Sequence, residues 1–204
     1  MIMIQTLIAF DHFTNYIVGK NLTMDHEVIL VDEQDQEIGI MEKMEAHRQG
    51  VLHRAFSVFI FNEKGEMLLQ QRSLDKYHSG GLWTNACCSH PRPGEDVQLA
   101  AQRRLHEELG FVTSIEEIFD FIYKSPFENG LTEHEFDHVF IGIYDDIIEP
   151  DKKEVKDFCF KSMQEIRASL QSDPTQFTTW FHIAFPLVEK WIDEQSDSEQ
   201  EMLN

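Results

Sequence analysis

The sequence predicts an α/β fold, a mixed sheet sandwiched by helices with a further helical element at the C-terminal end. Three observations carry this reading. Apolar runs of strand length, bounded by turn residues, recur from Glu27 onward. One amphipathic helix, Val97 to Leu109, interrupts them, and after Pro150 the pattern turns helical. With 204 residues, 42% of them hydrophobic and 11% aromatic, the chain has the material for one packed domain. The usual size prior for such a domain is about 150 residues, which leaves a small appendage.

EVILVD, Glu27 to Asp32, is a short buried strand followed by the turn-rich EQDQEIG. LHRAFSVFIF, Leu52 to Phe61, and EMLLQQR are strands joined by the Gly-containing NEKG, hence a hairpin. The polar loop SLDKYHSGG leads into LWTNACCSH, a strand that enters a Pro/Gly-rich loop. In VQLAAQRRLHEEL, Ala101, Leu105 and Leu109 lie four apart on one helix face, with Gly110 as the C-terminal stop. SIEEIFDFIYKS and EHEFDHVFIGIY are two further strands separated by PFENGLT. Ser162-Met-Gln-Glu165 has capping-box spacing, and TQFTTWFHIAF is an apolar helix that Pro186 is expected to kink or break. The closing DEQSDSEQEMLN is acidic and poor in apolar residues, and is expected to be frayed or disordered.

Seventeen Lys and Arg against 37 Asp and Glu give a formal net charge of -20, which opposes phosphate backbones and anionic lipid. Nucleic acid and membrane surfaces are therefore not expected as partners, and any anionic substrate must be held by a local basic cluster or a metal. Three cysteines make no disulfide framework, and no apolar run approaches the roughly 20 residues that span a bilayer. The apolar opening MIMIQTLIAF lacks a preceding basic region and a small-residue cleavage site, so a secretory signal is not expected. These features read as a soluble cytoplasmic protein.

Cys87 and Cys88 stand side by side in TNACCSHP, and core filling, a metal clip, a disulfide or a reactive thiol are all readings of such a pair. Alternation along a strand puts Cys88 on one face with Ala86 and His90, and Cys87 on the other with Ser89. A disulfide between neighbours would strain the backbone. His90 beside Cys88 favours a reactive role for Cys88 alone, because a nearby imidazole or metal lowers a thiol's pKa.

The string SHPRPGE, then seven residues, then RRLHEELGF follows the Nudix box, with Ser89 in place of its first Gly and Arg104 in place of its first helical Glu. Glu95, Arg103, Glu107, Glu108 and Gly110 keep the expected spacing. Arg103 with Glu107 and Arg104 with Glu108 can also be read as plain surface pairs, each worth a few tenths of a kcal/mol. His47 and His53 flank RQGVL, while Glu133 and Glu135 share one face of the strand EHEFDHVF.

Taken together, EKMEAH, LHRAFSVFIFNEKGEMLLQQRS, GLWTNACCSHP, RRLHEELG and FIYKSPFENGLTEHEFDHVF resemble type 1 isopentenyl-diphosphate Δ-isomerases, a branch of the Nudix superfamily. The resemblance runs from about Glu27 to Trp191 and implies three segments: an N-terminal extension, 1–24, a Nudix-like isomerase domain, 25–193, and an acidic disordered tail, 194–204. It implies interconversion of isopentenyl and dimethylallyl diphosphate, in isoprenoid biosynthesis, by protonation and deprotonation. Cys88 and Glu135 fall on the family's catalytic cysteine and glutamate, and Tyr123 on the tyrosine that assists the proton donor. His47, His53, His90, Glu133 and Glu135 fall on a three-His, two-Glu site for one divalent cation, Zn²⁺, Mn²⁺ or Mg²⁺. Glu108 falls on the ligand of a second Mg²⁺ that arrives with the substrate diphosphate. Lys43, Arg72, Lys76 and Arg104 match basic positions around that diphosphate, and Trp180 the tryptophan over the substrate.

The implied chemistry suits these residue types. Protonating an unactivated alkene at C4 makes a tertiary carbocation, so an acid on one side, a base on the other and exclusion of water are required. Glu135 with Tyr123 is expected to give the proton, and Cys88, as thiolate, to remove one from C2. The π-face of Trp180 can stabilise the cation by about 2 kcal/mol or more when desolvated. Two other readings are a Nudix-type diphosphate hydrolase, which the charge reversal at Arg104 weakens, and a non-catalytic metal- or nucleotide-binding module.

Overall fold

The computed structural model describes residues 26–202, so the expected N-terminal extension lies outside the described residues. The elements in order are β1 (Glu27–Val31), β2 (Glu37–Glu42), α1 (Lys43–Gln49), β3 (His53–Phe61), β4 (Met67–Arg72), β5 (Trp83–Thr84), β6 (Cys87–Ser89), α2 (Val97–Leu109), β7 (Ile115–Pro126), β8 (Thr132–Ile143), β9 (Val155–Lys161), α3 (Met163–Ser172), a 3₁₀ turn (Pro174–Gln176) and α4 (Thr179–Met202). The strands form one mixed nine-stranded sheet. At its centre β3 pairs antiparallel with β1, β4 and β6 and parallel with β8. The hairpin expected of β3 and β4 closes at Phe61 and Met67, after which β4 turns to β5 and β9.

Side-chain alternation along β3 makes the sandwich. Phe56, Val58 and Ile60 pack with Leu68, Cys87, Ala101, Leu105 and Leu109, which buries the apolar stripe of α2. Phe59 and Phe61 face the opposite way, onto Val139, Phe181, Phe185 and Val188 under α4. That second face changes character along the strands. On β3 it reads His53, Ala55, Ser57, Phe59, Phe61, and on β8 Glu133, Glu135, Asp137, Val139, so its polar end is buried without an apolar partner. The candidate site occupies this end.

Several elements differ from expectation. The turn after β1 is short, held by the Asp32 carboxylate accepting from the Gln34 and Gln36 amides at 2.9 Å each, so EIGIME is free to form β2. The seven-residue α1 has an unconventional cap, the Glu42 carboxylate, which accepts from Met44 N and Glu45 N at 2.9 and 2.8 Å. VKDFCFK after Pro150 is an edge strand on β4 and not helix, with only Val155 fully buried. Pro186 does not end α4, which runs on to Met202. Because Pro186 lies in the second turn, it forfeits only the bond to the His182 carbonyl while packing holds both flanks. The acidic segment from 194 continues that helix as far as Met202, with a Lys190–Glu194 pair one turn apart.

Other expectations stand. Ser162 and Glu165 form the full capping box of α3. Gly110 caps α2 in the left-handed region (φ 79°) and donates to His106 O at 3.0 Å. A Cβ there would come within 2.5 Å of Glu149 O. Gly110→Ala is therefore expected to destabilise the fold by about 2 kcal/mol or more, read as a lower midpoint in urea at unchanged slope.

Candidate active site

Strand register gathers the reactive residues. The parallel β3–β8 pairing sets His53 beside Glu135. The antiparallel β7–β8 pairing sets Tyr123 against Glu135 and Ser125 against Glu133. The β3–β6 pairing sets Ser57 against Cys88 and Val58 against Cys87. Side chains of paired residues share a face, so Cys88 reaches the polar cavity with Ser57 while Cys87 enters the core under α2. Ala86 does not accompany Cys88 as expected, but packs in the core with Cys87. The strand is broken between Thr84 and Cys87, so alternation does not carry through Asn85.

One inner cavity of about 60 Å³ is lined by Cys88, Tyr123, Glu133, Glu135 and Trp180, together with Lys43, Arg72, Lys76, Arg104 and Glu108. All the expected catalytic and substrate-binding residues thus meet in one place. His90 shares the wall, while His47 and His53, both 0% exposed, stand behind it. A wider space of about 550 Å³ continues outward past Lys43, Lys76, Arg92, Arg103 and Arg104.

His47, His53, His90 and Glu135 bring one donor atom each within 4.8 Å of one another and could hold a metal ion. Their surroundings suit that role. His47 Nδ1 and His53 Nδ1 donate to the carbonyls of Lys43 and Val51 at 2.6 and 2.8 Å, which frees each Nε2 lone pair. His47 Nε2 is buried without a hydrogen-bond partner, and His53 Nε2 lies 3.2 Å from His90 Nε2. Burial lowers the pKa of His47 and, joined by Lys43, holds His90 well below the usual imidazole range, so both are neutral donors. Glu133 falls instead in an adjoining group with His47 and His78. Glu108 sits apart, accepting from Gln70 at 3.0 Å and Arg104 at 2.5 Å.

The two proton carriers rest in opposite states. Burial pushes the Cys88 thiol up, and the nearby Asp137 carboxyl adds to this, so the sulfur keeps its proton. Burial also pushes Glu135 up, but the adjoining His53 and His90 imidazoles outweigh it and hold Glu135 well below the carboxylate range. Tyr123 OH donates to Glu135 Oε2 at 2.6 Å and lies 3.1 Å from Glu133 Oε2. Burial, joined by Glu135, raises Glu133.

The basic residues converge from α1, β4, the loop after β4 and α2. Arg72 lies over the Trp180 ring at 5.1 Å and Lys43 over Tyr77 at 5.4 Å, while Lys76 pairs with Glu154. Arg104, 20% exposed, joins Glu107 and the nearly buried Glu108, so this is no plain surface pair. Arg103 pairs with Glu107 at 3.1 Å as expected and also forks onto Glu95 at 2.7 and 2.8 Å, tying the box loop to the helix. The Nε atoms of Arg72 and Arg104 are buried without acceptors, donors that an anionic ligand would satisfy.

A family profile described as NUDIX domain matches residues 51–181. An isopentenyl-diphosphate Delta-isomerase from Pectobacterium atrosepticum is 49% identical over 159 residues, covering 78% of this chain and 89% of the relative. One of that name from Burkholderia multivorans is 45% identical over 173 residues, covering 82% and 98%. The chain belongs to the isopentenyl-diphosphate Delta-isomerase family. Its fold is shared more widely: the protein DR0079 from Deinococcus radiodurans superposes with a TM-score of 0.61 at 20% identity, covering 72% of this chain and 90% of that one. A MutT protein from Methanosarcina mazei gives 0.57, again at 20% identity, over 71% and 95%.

Within this isomerase-family chain, sequence reasoning missed four polar residues around the site. His78 lines the cavity, stacked on Phe127 at 4.8 Å and edge-on to Trp180 at 5.8 Å. Burial first, then Arg72 and Lys43, bring its pKa down to about 3, so it is neutral. The signal was the Gly80-Gly81 that follows, since a Cβ at Gly80 would lie 2.7 Å from Leu74 O. Ser57 and Asn85 contact the Cys88 sulfur and Asp137 stands behind Ser57, and only strand pairing reveals them.

Proposed function

We propose that this cavity interconverts isopentenyl and dimethylallyl diphosphate, with residues 25–193 as the isomerase domain. The observation that carries the reading is a proton-bearing Cys88 and an ionised, Tyr123-bonded Glu135 on the walls of one cavity that four basic side chains also line. One group gives a proton to C4, and the C3–C4 π electrons form the new C–H bond. The other group takes a proton from C2, whose C–H electrons close the C2–C3 double bond. After turnover the two groups have exchanged states, and the reverse reaction exchanges them back.

Arg72 and Arg104, with Lys43 and Lys76, hold the diphosphate at the outer end, where buried guanidinium donors lack acceptors. Trp180, 3% exposed, offers its π-face to the hydrocarbon end and to positive charge developing there. Tyr123 holds the Glu135 carboxyl in place through its hydroxyl. A divalent cation would be held by His47, His53, His90 and Glu135, with Glu133 moving in from the neighbouring group, and would supply a fixed positive charge that organises the carboxyl. Three imidazoles admit Zn²⁺ or Mn²⁺ more readily than Mg²⁺, whereas Glu108, an oxygen donor beside the basic cluster, suits a Mg²⁺ that accompanies the diphosphate. All three cysteines are free, which supports the cytoplasmic reading, and no helix among the described residues is long and apolar enough to cross a membrane.

Isopentenyl diphosphate incubated with the protein and Mg²⁺ in deuterated water should yield dimethylallyl diphosphate carrying deuterium. Release of inorganic phosphate or pyrophosphate without that product would favour the hydrolase reading. Prolonged chelation should abolish turnover, and Zn²⁺ or Mn²⁺ should restore it. Full activity in a protein shown metal-free by elemental analysis would refute the cation's role.

A further inference from the structure

Two groups hold the Cys88 sulfur from the side of the sheet. Cys88 S–H donates to Asn85 Oδ1 at 3.0 Å, and Ser57 Oγ lies 3.4 Å from the sulfur. Each of these neighbours is itself fixed. The Asn85 amide donates to the Val58 and Cys87 carbonyls at 3.0 Å each, which fixes its oxygen between the thiol and the Thr84 hydroxyl, from which it also accepts at 2.9 Å. The Ser57 hydroxyl donates to Asp137 Oδ2 at 2.7 Å, a normal O–H···O length. A hydroxyl has one proton, and with that proton committed to Asp137 only lone pairs remain for the sulfur. Ser57 therefore offers the sulfur only acceptor lone pairs, and with Asn85 Oδ1 it makes two acceptors facing the single S–H proton.

Asp137 is a costly way to build a core. It is 1% exposed, its Oδ1 has no partner among the described residues, and it lies behind Ser57, outside the cavity lining. Two positions along the same face, Val139 packs into the apolar core. A buried carboxyl with one oxygen unsatisfied costs stability that an apolar residue there would not, and such costs are retained where they serve a site.

We propose that Ser57 is a positioning residue for the Cys88 sulfur, with Asp137 setting the direction of the Ser57 hydroxyl. The pair keeps the sulfur at a fixed point on the cavity wall and leaves its remaining approach to the substrate. This rests on the reading of Cys88 as one of the two proton carriers.

Steady-state kinetics on Ser57→Ala, Ser57→Thr and the double variant Ser57→Ala/Asp137→Leu test it, with Cys88→Ala and thermal melts alongside. Misplacing a reacting group by about 1 Å can cost up to ~10²-fold, so Ser57→Ala should lose ~10- to 100-fold in kcat. KM should stay within about threefold, since the diphosphate clamp is untouched. Ser57→Thr, which keeps the hydroxyl, should recover most of kcat. The double variant removes the orphaned carboxyl together with its donor, so it should regain thermal stability but not kcat. Wild-type kcat in a folded Ser57→Ala, or kcat recovering in the double variant in step with stability, would overturn the proposal. Wild-type turnover by Cys88→Ala would instead remove the reading beneath it.

Discussion

Cys88→Ala is expected to lower kcat by about 10²- to 10⁴-fold, the usual contribution of one positioned acid or base, while Cys87→Ala keeps most of the activity. The two neighbours differ because pairing with β3 sends them to opposite faces. Cys88 pairs with Ser57 and enters the cavity, while Cys87 pairs with Val58 and is 0% exposed in the core under α2. Losing the Cys87 sulfur should instead appear as a modest fall in thermal stability, since one small buried group is removed from a packed cluster. Product formation from isopentenyl diphosphate with each variant, followed over time, checks both halves. Equal losses of activity would mean that the β3–β6 register does not govern the site.

Glu135→Gln is expected to be at least as damaging, with kcat down by ~10³-fold or more, because an amide accepts the Tyr123 hydrogen bond but cannot carry the exchanged proton. The fold should survive. Burial and the Glu135 charge together raise both Glu133 and Asp137, so removing that charge relieves repulsion within the row of buried carboxyls. KM should change little, since the basic side chains that grip the diphosphate are elsewhere on the wall. Turnover within tenfold of wild type, from a variant whose melting curve matches the parent, would exclude Glu135 as a proton carrier.

What the sequence made legible follows from how local each signal is. The α2 helix, the Ser162 capping box and the long strands β3, β7 and β8 depend on periodicity and local chemistry, and all appear where expected. The missed elements, β2, α1 and β9, are short and carry little buried apolar surface of their own; β2 and β9 form because β1 and β4 offer them partners. The expected site residues came from motifs shared with the resembled family, and all of them line one cavity except His47 and His53, which stand behind it. His78, Ser57, Asn85 and Asp137 were not reached, because a polar residue within an apolar strand or a Gly-rich loop reveals its use only when its neighbour across the sheet is known.

The site's dependence on cross-strand pairs sets unequal tolerances for insertions and deletions. Extra residues in the Phe127–Leu131 turn change only a loop, whose closure entropy rises slowly with length. A single residue added between Glu135 and Val139 would reverse the facing of everything on one side of it, turning the carboxyls outward or the apolar half of β8 away from α4. Natural length variation and successful grafts in this molecule should therefore cluster at hairpin tips and avoid the central strands.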